Sequence, residues 1–130
     1  KPVLTSAQAP GLIYDVIAVN PASLSAHKAD WAKLVKLWDK VVNYINDPKT
    51  QDDAVKIMAA RSGVSPEEYK PLLKGTRLLT LAEGKKIFQK GDGLGSLYGS
   101  SKIADDFNVK NEVYKEPQNV NSYIDGSLVP

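Results

Sequence analysis

The chain has 130 residues, 42% hydrophobic and 25% charged, which suits a single globular domain or part of one and excludes wholesale disorder. Seventeen basic against fifteen acidic residues, interleaved along the chain, leave a formal charge of +2, too little to draw nucleic acid or an anionic membrane. With no cysteine, disulfides, thiolate metal sites and a cysteine nucleophile are excluded, and no apolar run is long enough to span a bilayer.

The opening Lys1-Pro2-Val3-Leu4-Thr5-Ser6 is not a signal peptide. The first segment with a clear pattern is Leu12-Ile13-Tyr14-Asp15-Val16-Ile17-Ala18-Val19, ended by Asn20-Pro21. It is β-branched and apolar on both alternating faces, which predicts a strand buried on both sides. Asp15 interrupts it, and a carboxylate buried there is costly without a cation or several donors. Two explanations stay open: a lysine or arginine of the protein pairs with Asp15, or Asp15 faces a cleft and meets a ligand.

From Lys28 the pattern turns helical. Trp31, Leu34, Val35, Trp38, Val41, Val42 and Ile45 form one apolar stripe, with Lys33, Lys36, Lys40 and Asn43 opposite. Asn46-Asp47-Pro48 ends the helix, because the residue before proline avoids the α region. Thr50 with Asp53 resembles a capping box; Ser65-Pro66-Glu67-Glu68 and Thr80-Leu81-Ala82-Glu83 are closer matches. Gly63, Gly75 and Gly91 stand where left-handed C-caps would stop helices. Helices are thus expected near 51–62, 66–74, 81–89 and 94–107, and the apolar group Val120, Tyr123 and Ile124 docks as a short turn. One strand followed by about five helices is an incomplete inventory, since a helix-rich shell normally covers a sheet.

Catalytic patterns are missing. The only histidine, His27, stands at a helix start, and no G-x-S-x-G elbow exists to serve it. The run Gly91-Asp92-Gly93-Leu94-Gly95-Ser96-Leu97-Tyr98-Gly99 has neither dinucleotide nor Walker spacing, and it reads as a helix stop with Asp92 ready to cap the next helix. Adjacent Asp105 and Asp106 point about 100° apart on a helix, which suits neither a shared ion nor a paired-carboxylate site. Asp52 and Asp53 fall in a first turn and answer the helix dipole. No cofactor or metal is expected, and the chain reads as non-enzymatic.

The stretch Ala9-Pro10-Gly11-Leu12-Ile13-Tyr14-Asp15-Val16-Ile17-Ala18-Val19-Asn20-Pro21 resembles the last inter-lobe strand of nitrate/sulfonate/taurine-type substrate-binding proteins of ABC importers. Asp30-Trp31-Ala32-Lys33-Leu34-Val35-Lys36-Leu37-Trp38 resembles the long helix that follows it. Gly63 to Tyr69, Gly91 to Ser100 and Lys102 to Asn108 are similar to the family's later helices, in order. The resemblance implies the C-terminal part of a type II periplasmic-binding-protein fold, an α/β fold of which this chain is the mainly helical end with one buried strand. Residues 1–20 would close the second lobe and cross the hinge, and residues 21–130 would pack on a first lobe carried by a missing amino-terminal portion. It also implies a small sulfonate-, taurine- or nitrate-like solute, an ABC permease as partner, and a periplasmic or extracytoplasmic location, free or lipid-anchored. Asp15 would then be the partner of a solute ammonium, with Tyr14 and the Ala9-Pro10 backbone nearby. For a plain anion such as nitrate, Asp15 would have to be salt-bridged instead. Two rivals stand beside this: an enzyme of the same fold resembling thiamine pyrimidine-precursor synthases, and a standalone helical interaction module.

Overall fold

The computed structural model describes residues 3–129, and the described residues are all-helical: α1 (Pro21–Ala26), α2 (Lys28–Asn46), α3 (Gln51–Ser62), α4 (Pro66–Leu73), α5 (Leu81–Ile87) and α6 (Leu97–Lys110), with short 3-10 turns at Ser6–Gln8 and Val120–Ser122. They form two compact units. His27–Ala82 makes one; the residues up to Ala26, together with those from Glu83 onward, make the other.

In the His27–Ala82 unit, α2 packs on α3 and α3 on α4. The apolar stripe of α2 buries Val42 and Ile45, and α3 answers with Ala54, Val55 and Ala59, whose small side chains let the helices approach closely. The last carbonyls of α2 are taken up by side chains. The Thr50 hydroxyl donates to the Tyr44 carbonyl at 2.6 Å, and the Gln51 amide donates to that of Ile45 at 3.2 Å. Thr50 therefore turns back onto α2 and caps nothing, so the expected Thr50–Asp53 box does not form. The Ser65 box does. The Glu68 N–H donates to Ser65 Oγ at 3.2 Å, and the Ser65 N–H donates to the Glu68 carboxylate at 2.9 Å. Gly63 (φ 72°) closes α3 as expected, whereas α4 ends on right-handed Lys74 with no left-handed Gly75.

In the other unit, α6 supplies buried Gly99, Ser100 and Asp105, and the 3-10 turn with buried Val120 packs against it. Gly11, at φ 88°, brings the chain against the backbone of Leu94, and Gly99 lies against the backbone of Gly93 and Asp92. The left-handed glycine of this loop is Gly93, not Gly91. The cap of α6 is Ser96, which accepts from the Tyr98 N–H, rather than Asp92. With that cap, α6 starts three residues later than the spacing suggests.

The expected α/β fold is overturned. No strand or sheet occurs among the described residues, and Leu12–Val19, predicted as a buried strand, has no regular secondary structure. The side chains of Leu12, Ile13, Val16 and Ile17 are all exposed, and no backbone bond pairs residues 13–19. The reason is physical. A β-branched sequence favours a strand only against neighbours that take its N–H and C=O groups, and among the described residues no second strand is present to do so. The described chain is helical, not the α/β end of a type II periplasmic-binding-protein fold.

Candidate ligand-binding segment

The segment that holds the expected ligand residues is anchored at its start. The Thr5 turn leads to Ala9, whose N–H donates to the Ser6 carbonyl and whose carbonyl accepts from the Leu12 N–H at 3.1 Å. Pro10 is exposed and Ala9 half-buried. One residue on, the Gly11 carbonyl accepts from the Ser100 hydroxyl at 2.6 Å, which fixes the Ala9-Pro10-Gly11 turn on α6. The Tyr14 hydroxyl donates to the Leu94 carbonyl at 2.9 Å. That bond spends the phenol's only proton, so Tyr14 can offer a ligand no more than an oxygen lone pair.

Asp15 is exposed and has no hydrogen bond or ion pair among the described residues. The premise that it is buried in an apolar strand therefore does not hold. Of the two explanations open from the sequence, a lysine or arginine partner within the described chain is not realised. What remains is a solvated carboxylate between apolar neighbours, next to a tyrosine held in place. Chemically, such a group can accept hydrogen bonds from an ammonium or water; it would repel a bare anion.

Of the other polar side chains named from the sequence, the aspartates of α3 and α6 make contacts that hold the structure, and His27 does not. His27 is exposed at the N-cap of α2 and makes no capping bond. Asp106 pairs with Lys102 at 2.8 Å, which raises the lysine's pKa. Asp52 pairs with Lys70 at 2.9 Å, and this hydrogen bond holds its carboxyl below the usual range. Asp53 instead accepts from the Tyr44 hydroxyl at 2.7 Å, and that bond raises the phenol's pKa. Asp105 is buried and accepts from the Tyr114 hydroxyl at 2.8 Å and the Gln118 N–H at 3.0 Å, tying the tail to α6. The Asn108 amide lowers the Tyr114 pKa, but the Asp105 carboxylate and burial outweigh it and leave the phenol raised. Among the described residues no cluster of three His, Asp or Glu could hold a metal, and no helix is long and apolar enough to cross a membrane.

A second feature escaped the sequence reading. Trp38, Val41 and Ile45 of α2, with Met58, Tyr69, Leu72 and Leu73, line an open apolar groove of about 370 Å³. Beside it, a smaller depression of about 170 Å³ carries Lys70 and Lys74. Trp38 is 40% exposed and Leu72 64%. The stripe was legible as apolar, and helices without the sheet they normally cover are expected to leave such surface exposed; which residues of the stripe face solvent was not legible. No family model, no curated protein and no solved structure matches the chain.

Proposed function

We propose that the chain serves as part of the extracytoplasmic solute-binding component of an ABC importer, capturing a small sulfonate- or taurine-like solute and delivering it to a permease. The observation that carries the reading is Asp15, an exposed carboxylate without a partner among the described residues, in the stretch whose sequence resembles the cleft segment of such proteins. Its charge favours a zwitterion such as taurine over nitrate. The role is capture without catalysis, in a periplasmic or extracytoplasmic setting, free or lipid-anchored.

The exposed apolar surface supports a chain that works together with a further portion of the same protein. Among the described residues, eighteen large apolar or aromatic side chains are exposed, against six buried hydrophobic residues. The accessible surface is 9909 Å², whereas even two independent compact units sharing 14.1 kDa would expose about 8,100 Å². In this reading the further portion covers that surface, since large exposed apolar patches mark sites of interaction.

Calorimetric titration of the complete polypeptide carrying this segment tests the proposal, with taurine and nitrate as probes. Asp15→Asn should weaken taurine about ten- to a hundredfold, because a charge-assisted hydrogen bond is worth roughly 1.5–3 kcal/mol. Nitrate should bind no worse. Unchanged taurine affinity would remove Asp15 from the site, and no binding of either probe to the parent protein would overturn the importer reading.

The groove at Trp38 and Leu72 favours a second reading, a standalone helical interaction module. That reading expects the 130-residue chain alone to be a monodisperse monomer, blind to both solutes. The importer reading expects it to self-associate and bind a hydrophobic dye.

A further inference from the structure

We draw no further inference here: the strongest candidate, the apolar groove between α2 and α4 lined by Trp38, Val41, Met58, Tyr69 and Leu72, is an unpartnered face, and nothing in the structure shows what covers it.

Discussion

Residues 12–19 and residues 96–105 invert the usual rule of what lies inside. The first stretch is the most apolar of the chain, yet Leu12, Ile13, Val16 and Ile17 are exposed. The second holds two serines, a glycine and an aspartate that are all buried. Burial here follows the fate of the backbone and polar groups more closely than hydrophobicity. Ser96 donates to the Gln89 carbonyl at 2.7 Å and Ser100 to that of Gly11, while Asp105 collects two donors from the tail. Every buried polar side-chain atom among the described residues has a partner. The 12–19 stretch has side chains that would gain from burial, but from residue 13 to residue 19 its backbone has no partner among the described residues. Leaving peptide groups unsatisfied costs more than the apolar side chains return.

Breaking the polar side of this contrast should have the largest effect. Asp105→Ala removes a buried acceptor and strands the Tyr114 hydroxyl and the Gln118 N–H, at a cost of about 3 kcal/mol. Chemical denaturation should show it as a lower midpoint with an unchanged slope. A cost below about 1 kcal/mol would mean that the 111–124 tail is not held by Asp105. Gly99→Ala follows, because a methyl there would overlap the Gly93 backbone, which cannot swing aside as a flexible side chain could. Overpacking of this kind costs about 2 kcal/mol. The exposed Gly95, where a Cβ meets open space, is the matched control, and Gly95→Ala should leave the midpoint within about 0.5 kcal/mol.

Much of the helical part was legible in the sequence because its signals are local. The stripe from Trp31 to Ile45, the Asp47-Pro48 stop, the Ser65 box and the Gly63 cap all act within one or two turns, and each lies where the spacing places it. The errors came where a distant group decides. Leu12–Val19 reads as a strand by composition, but a strand requires a partner that no local pattern reveals. Asp15 reads as buried by the same logic and is solvated for the same reason. Thr50 is a fair cap by type and is claimed instead by the Tyr44 carbonyl across the turn. For the candidate site, the sequence suggested Asp15 and Tyr14 but gave no sign that Tyr14 is committed to Leu94, a contact eighty residues away.

A smaller effect tests the local signals. Ser65→Ala removes the α4 cap and should cost about 1 kcal/mol. The same box sets an acid limit. The Ser65 N–H and hydroxyl hold the Glu68 carboxyl below its ordinary value, and Lys70 does the same for Asp52. Since both folded pKa values are depressed, their contribution is present above the ordinary carboxylate range and is lost as pH falls through the folded values. Denaturant midpoints measured from pH 7 down to pH 3 should therefore fall for the parent chain, and less steeply for Ser65→Ala. Parallel curves for the two would show that the Ser65 hydroxyl adds nothing to what the Ser65 N–H, which the substitution keeps, already does to the Glu68 carboxyl.

The smallest expected effect lies at Ile17, and it decides the apolar side of the comparison. Ile17 is 54% exposed, and its neighbours Val16 and Ile13 are more so. Ile17→Ser therefore removes little buried surface and adds a hydroxyl that water can satisfy. The change should move the stability of this chain by less than about 0.5 kcal/mol, as at other surface positions. In the complete polypeptide the outcome should reverse if another portion covers the segment. Burying an isoleucine fully is worth about 1.5–3 kcal/mol, so the same substitution should then cost an amount of that order. Denaturation of Ile17→Ser in both contexts measures the difference directly. A large loss in the isolated chain would place Ile17 inside and sink the account of residues 12–19 as exposed. A small loss in both contexts would leave this apolar segment uncovered, and with it the claim that the chain functions against a further portion of its own protein.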